Sequence, residues 1–572
     1  MTDSGHGEPG DGARRWAWAA AAAGLALVVF LPTVRFGFLN WDDPDLILEN
    51  PRVTDASPLE LFAEPGVAYL PLRDLAWNLT WRLAGPEPAA YHGLNVVCHA
   101  VASGLFALLA IALCAGRGAW VGGVAGLVFT VHPVHVEPVA WASGLKDPLS
   151  AALAFGAFLL YLRATRAAGG RARVVALGAG LALLWAAALA KASALVLPGL
   201  MACYALALAR DRRRALALLV PFALLALALA AVALTAGRAS GAVKLRGVTG
   251  GAALLGAIRV AGTYLRQLAL PIGLGPRYPA SGSPWPPLVF VTLYVVVLAL
   301  AVSFHRRAFV AAAWVAVAAA PYLHVVPLST PQADRYLYLA VGGWAMGLGL
   351  AAEAVSVGGR TVLRRRKAVG GLVALVIGGY AALAVRQERV WASSERLWER
   401  ALAVAPGDAL AHYMLGEAVW RQQPVRAARH FRRAADAHLE TAADHWLAAG
   451  AAREAADREA VERHTALARR HERLAADALA YLGTVWKTSR GAPGEVYALH
   501  RQALRLSGGE PRYHYLVAQD LMELGRSREA LPHLHAAARG PAWLRQQAEA
   551  DITRLSDVLE ADTEPGAPSQ PP

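Results

Sequence analysis

Hydropathy constrains this chain more than any other feature. Residues 15–385 run as long apolar blocks joined by short polar loops, while 386–572 read as polar, charged helix. Only 17% of the 572 residues are charged, against about a quarter in soluble globular proteins. The deficit is concentrated in the first part. The chain therefore divides into a membrane part and a soluble part.

A membrane-crossing helix takes about 20 apolar residues. Eleven candidates lie near 16–35, 93–115, 118–131, 148–164, 174–190, 192–209, 215–236, 288–304, 308–326, 337–357 and 369–385. Basic loops stay cytoplasmic. With Arg14 and Arg15 inside, the arginine-rich loops at 115–118, 163–173, 210–214, 305–307 and 358–368 are cytoplasmic too. The outer set is then 36–92, 132–147, 191, 237–287, 327–336 and everything after 386. It holds nearly all the acidic and histidine residues of the membrane part. Residues 251–274 are apolar but carry Arg259 and Arg266. Two arginines in a span are costly, so this segment reads as an amphipathic or re-entrant piece at the outer surface.

The net charge of +14 invites a nucleic-acid reading. Much of the arginine excess sits in the short loops that orient membrane helices, so that reading is set aside. Cys98, Cys114 and Cys203 all lie in apolar blocks and build no disulfide framework or cysteine metal site. Arg14 and Arg15 before an apolar run resemble a twin-arginine signal, but no small-x-small cleavage site follows, and a retained anchor fits better. The preference for arginine over lysine, with abundant alanine, suggests a GC-rich bacterial genome and hence an inner membrane.

The polar part repeats. Leu415-Gly416, Ala449-Gly450, Leu482-Gly483 and Leu516-Val517 recur at steps of 34, 33 and 34 residues. That is the tetratricopeptide period. Pro406-Gly407-Asp408 and Pro511 open units, and Ala427 with Phe431 and Ala530 with Leu534 fit the packing of a second helix. The expected fold is all-α: a polytopic bundle of about eleven spans, then a tetratricopeptide-type α-solenoid. The expected domains are a disordered cytoplasmic tail 1–13, a membrane domain 14–385 with first outer loop 36–92, repeats over 386–559, and a disordered tail 560–572.

Chemistry concentrates in the outer loops. Asp42 and Asp43 follow the first span, at the interface where a lipid-linked substrate presents its head group. One serves as a general base, or the Asp-Asp-Pro-Asp run is a solvated turn. His132, His135 and Glu137 lie within six residues, followed by Lys146 and Asp147. Prolines between them favour a hydrogen-bonding loop lining a polar cavity over a metal site. Lys191 lies between two spans, and Asp334, Arg335 and Tyr338 precede another. These cations either hold a lipid phosphate or snorkel to the interface.

The order of motifs resembles GT-C-type membrane glycosyltransferases, nearest the transmembrane and tetratricopeptide-repeat O-mannosyltransferases and their bacterial relatives. The matching pieces are Trp41-Asp42-Asp43, Tyr69-Leu70-Pro71-Leu72, Tyr91-His92-Gly93-Leu94-Asn95-Val96-Val97-Cys98-His99 and the stretch 132–147 with its Lys146-Asp147-Pro148-Leu149-Ser150. Ala190-Lys191, Tyr264-Leu265-Arg266 with Pro271, Ala333-Asp334-Arg335-Tyr336-Leu337-Tyr338 and the trailing repeats complete the set. The resemblance implies an inverting transfer of a sugar, a hexose such as mannose, from a polyprenyl-phosphate carrier to a protein hydroxyl on the periplasmic or lumenal face. It gives the base to Asp42 or Asp43 and the departing phosphate to Lys191 and Arg335. It implies no obligatory metal, though some such enzymes hold a divalent cation beside these carboxylates. The repeats bind the acceptor protein. Leu70 departs from the Tyr-Arg-Pro-Leu pattern of such enzymes, with Arg73 the nearest substitute, and Ala192-Ser193-Ala194 departs after Lys191. The alternative is a non-catalytic scaffold that organises envelope proteins through its repeats.

Overall fold

The computed structural model describes residues 11–63, 69–114, 118–239, 251–278, 285–323, 330–356 and 362–561. The described residues are helical throughout, with no strand. They form two compact units, Met1–Arg400 and Ala401–Pro572. The division falls after Arg400 and not at 385, because Trp391 and Trp398 are wholly buried within the first unit.

Each of the eleven apolar blocks contains helix. Among the described residues, seven helices are long and apolar enough to cross a membrane: Gly12–Arg35, Pro88–Leu113, Ala142–Arg166, Gly170–Ala190, Arg212–Ala236, Pro286–Ser303 and Arg364–Glu388. The remaining four blocks form shorter helices at Trp120–Val131, Leu197–Ala207, Arg306–Ala319 and Ala340–Ser356. The twelve residues of Trp120–Val131 rise about 18 Å, short of the ~30 Å apolar layer. Pro133 follows and cannot continue the helix. Small residues seat this short helix deep in the bundle. A Cβ on Gly122 would lie 2.2 Å from the Ile111 backbone, and one on Gly126 would lie 2.5 Å from Ala107. Close helix approach through glycine and alanine is the usual packing device in a membrane.

Burial sorts inner from outer helices. The Pro88–Leu113 span is 72% buried and central, while Pro286–Ser303 is 6% buried and turns its valines and leucines outward. Exposed Leu224, Leu227, Leu293 and Val302 would be a liability in water, and lipid covers such a surface. The Gly251–Ala269 helix is not among the seven. Its inner face buries Tyr264, Gln267 and Leu268, and Gly262 presses against the Pro287 carbonyl. Arg266 donates to the Ile272 carbonyl at 3.1 Å.

Residues 11–13 belong to the Asp11–Phe30 helix and the last described helix runs to Ala561, which trims both expected tails. The other tail residues, parts of the basic loops and parts of the outer segments 36–92, 237–287 and 327–336 lie outside the described residues.

The second unit is a stack of antiparallel helices. Ala409–Val419 packs on Pro424–Glu454, and Pro511–Glu523 packs on Ser527–Ala537. Asp408 caps its helix by accepting from Ala411 N at 3.1 Å, and prolines open helices at 424, 493 and 511, where the missing N–H costs nothing. Ala427, Phe431, Ala530 and Leu534 are all buried, in keeping with the repeat pattern. The middle differs. Pro424–Glu454 and Arg458–Thr488 are unbroken helices of 31 residues each. The marks at Gly450 and Gly483 fall inside them and not at similar seams.

Candidate functional site

The first outer loop is folded by short helices, Pro51–Thr54, Pro58–Ala63 and Pro71–Ala84. The second forms two tight turns around Val136–Ala140 and then enters the Lys146–Arg166 helix. The Ala142–Gly144 turn ties the two loops together. Its Ser143 donates through the backbone to Asp43 Oδ1 at 3.1 Å and also through its hydroxyl. Leu39 N donates to the other oxygen at 2.8 Å. Burial lifts the Asp43 carboxyl to about 6, despite these three bonds. Asp43 is thus an anchor.

Its neighbour is different. Asp42 is only half-buried, and no hydrogen bond to its carboxylate occurs among the described residues. Burial raises its pKa, and the positive charges of Lys146, Arg335 and Arg73 draw it back down. Of the two aspartates, this is the one with oxygens still available. Both Asp43 oxygens accept hydrogen bonds, which leaves the Asp42 oxygens as those open to a ligand.

Lys146, Arg335 and Arg73 bring positive charge to Asp42, and acids hold Arg335, Arg73 and Lys191 in place. Glu137 accepts from Arg335 N at 2.8 Å and from its guanidinium. Asp147 binds the Lys191 ammonium. Arg73 donates twice to Asp74, at 2.8 and 2.6 Å, and Arg52 donates to the same carboxylate at 3.0 Å. Buried ions persist only when paired like this. Aromatic rings line the gaps. Tyr322 and Tyr336 stack at 4.2 Å. The Lys191 ammonium lies 5.6 and 5.8 Å from those rings, and Arg335 lies 5.6 Å from Trp141.

A narrow cleft of about 10 Å³ opens here, lined by Asp147, Ser150, Ser193, Tyr322, Arg335 and Tyr336. It is far smaller than the ~300–1,000 Å³ of ordinary ligand pockets and has room for about one water. One Asp147 oxygen inside it has no partner among the described residues.

Four expected residues stand behind this cluster and not in it. His132 donates to the Leu268 carbonyl at 3.0 Å, and His135 to the Tyr338 carbonyl at 3.2 Å. Burial lowers both imidazoles, His132 to about 4, so they sit neutral. Asp334 accepts from Gln267 at 3.2 Å and from the Tyr278 hydroxyl. Tyr338 bonds His99 Nδ1 at 2.6 Å. These four fix the loops.

Sequence reasoning missed the aromatic floor. Trp41 stacks on Trp141 at 4.9 Å and meets Trp398 at 5.4 Å. Trp398 also donates to Asn40 Oδ1 at 2.7 Å. Tryptophan beside each acidic motif was the available signal, but contacts spanning hundreds of residues leave no local pattern.

No family model matches the chain. It is similar to three curated proteins named protein O-mannosyl-transferase. Tmtc1 of Drosophila melanogaster is 35% identical over 156 residues, 25% of this chain and 18% of that protein. TMTC2 of Mus musculus is 30% identical over 182 residues, 29% and 21%. TMTC3 of Homo sapiens is 28% identical over 152 residues, 24% and 16%. The chain thus spans about a fifth of the length of these relatives. The crystal structure of yeast Tom70 aligns with 12% identity and a TM-score of 0.16 over 78% of this chain and 93% of that one. The helical-repeat description rests on this chain's own helices and not on that likeness.

Proposed function

We propose that the chain is an inverting membrane glycosyltransferase that moves a hexose from a polyprenyl-phosphate carrier to a protein hydroxyl. The reading rests on one observation: a half-buried carboxylate, Asp42, held by no hydrogen bond among the described residues, facing the positive charges of Lys146, Arg335 and Arg73, of which Arg335 is fixed by Glu137. Similarity to proteins named O-mannosyl-transferases supports it. Asp42 takes the proton from the acceptor hydroxyl. The oxygen bonds to the anomeric carbon as the carbon–phosphate oxygen bond breaks on the opposite face. The electron pair leaves with the carrier phosphate, which Lys191 and Arg335 neutralise. Electrostatic help of this kind is worth about 3–4 kcal/mol per donor. The open Asp147 oxygen is placed to accept from a sugar hydroxyl.

The site lies on the periplasmic face in this reading, and the repeats hold the acceptor protein. Support comes from residues 391–400 within the first unit. Ser394 accepts from Asn40 N at 2.9 Å and Trp398 bonds the Asn40 side chain, so the stretch leading to the repeats is fastened to the loop that carries Asp42. A tethered acceptor gains effective concentration.

Asp42→Asn and Asp43→Asn, assayed for sugar transfer in membranes, test the assignment. Asp42→Asn loses transfer while remaining folded. Wild-type transfer by Asp42→Asn excludes the mechanism. A topology reporter after Arg386 adds a second check, since a cytoplasmic signal there separates the repeats from the proposed face.

A further inference from the structure

The second unit carries an arrangement that sugar transfer does not use. Eight of its ten histidines face one another in pairs, Nδ1 to Nδ1: His412 with His430 at 2.9 Å, His438 with His471 at 3.1 Å, His445 with His464 at 3.2 Å, and His514 with His533 at 2.8 Å. The two middle pairs join into a row. His438 and His445 are seven residues apart on the Pro424–Glu454 helix, and His464 and His471 are seven apart on Arg458–Thr488. Seven residues are two helical turns, so each helix turns its two rings to one side. His445 lies in the middle. Its ring centroid is 5.3 Å from that of His464 and 5.8 Å from that of His471.

We infer that His445, His464 and His471 bind one divalent ion of the zinc class, clamping the two long helices together. Zinc–nitrogen bonds of about 2.0–2.1 Å in a tetrahedral site place two bound nitrogens about 3.3 Å apart. The His445–His464 separation of 3.2 Å already has that bite. A neutral pair of facing Nδ1 atoms shares one proton. An ion takes the place of that proton, which moves through solvent to Nε2 of the same ring, and engages both Nδ1 lone pairs. The described residues hold no converged three-ligand set as they stand. The third ligand comes from His471, whose ring turns away from His438 and gives up one hydrogen bond. Three imidazoles and a water make a complete zinc coordination shell. All-nitrogen donors suit zinc, nickel and copper and not magnesium or calcium.

Two features agree. The row is half-buried at the helix seam, reachable by an ion yet shielded from bulk water. It also sits where the repeat pattern has fused into two 31-residue helices that pack against each other. Arg470 stands near His438 and His471 as an opposing charge, and Asp408 near His438 as a favourable one. The pairs His412–His430 and His514–His533 offer only two nitrogens each and serve as controls.

The test titrates zinc chloride into the full-length protein in detergent, with metal content and thermal unfolding as readouts. Wild type takes up one equivalent tightly and its unfolding midpoint rises. His445→Gln and His464→Gln weaken uptake by at least about tenfold, since loss of even an outer partner costs that much. His412→Gln and His514→Gln leave it unchanged. Copper in place of zinc gives nitrogen hyperfine structure from three imidazoles. Absence of tight uptake by wild type, or unchanged uptake in His445→Gln, overturns the inference. Should the variants unfold, zinc protection of these histidines from diethylpyrocarbonate in the wild type decides it: no protection overturns it.

Discussion

The two units handle polar groups in opposite ways. In the first, charges are buried and their partners are far apart in sequence: Glu137 with Arg335, Asp147 with Lys191. In the second, pairs such as Arg458–Glu462 and Arg526–Glu529 are local and exposed, the buried Asp520 being an exception that meets Lys487 and His500, and the interior polar groups are largely histidines. The difference follows from solvent. Near lipid an unpaired charge is expensive, and Arg335 and Lys191 are each matched by an acid distant in sequence. Beside water, pairing is optional and worth little.

The sharpest way to break this comparison is to remove the one carboxylate of the site not held by a bond. Asp42→Asn is expected to slow transfer by about 10²–10⁴-fold, the usual share of a general base, with little change in unfolding temperature. Because burial raises the Asp42 pKa, transfer falls with acidification at a pH above the ordinary carboxylate range of 3.8. A pH profile of wild-type membranes checks the limb. An acid limb at the ordinary value would remove Asp42 from the role.

Removing a paired carboxylate tests the opposite case. Glu137→Gln leaves Arg335 buried without its counter-charge, which is expected to cost about 3–5 kcal/mol of stability. Thermal unfolding in detergent measures it. Arg458→Ala, an exposed member of a local pair, is expected to leave the midpoint unmoved. Equal effects from the two variants would erase the distinction between the units.

Asp43 adds a pH signature to the buried set. Its carboxyl titrates at about 6 when folded, against 3.8 for a free aspartate. The folded chain therefore binds this proton more tightly than the unfolded one. The resulting stability is complete below about pH 4 and lost as pH rises through about 6, on the order of 2–3 kcal/mol in all. Asp43→Asn removes that slope. Unfolding curves of the two proteins that stay parallel from pH 4 to 7 would contradict it.

The contrast also explains what was legible in advance. The apolar blocks announced membrane helices because span length is a local property. The acidic and basic motifs were visible, but their matching was not: Glu137 meets Arg335 across 198 residues. Nothing in the run Asp42-Asp43 shows that Ser143 occupies one aspartate and leaves the other. Likewise His132 and His135 read in sequence as members of a hydrogen-bonding loop, but the Leu268 and Tyr338 carbonyls that they meet could not be read there. In the second unit the 34-residue step was readable, yet the step alone did not reveal that the middle helices continue through it.

That last difference yields the smallest and most specific test. Gly450 and Gly483 occupy equivalent positions in the repeat count. A Cβ on Gly483 would lie 2.4 Å from the His500 imidazole, which bonds Asp520 at 2.5 Å and the Ala480 carbonyl at 3.2 Å. Gly483→Ala must displace that buried ring, at a cost of about 1–3 kcal/mol. At Gly450 nothing lies within 4 Å, and the residue sits inside a continuous helix. Gly450→Ala therefore gains the ordinary helix preference, about 0.5–1 kcal/mol. One substitution at two equivalent positions should move the unfolding midpoint in opposite directions. If both destabilise, position 450 has a packed neighbour, and the middle of the unit is an ordinary repeat after all.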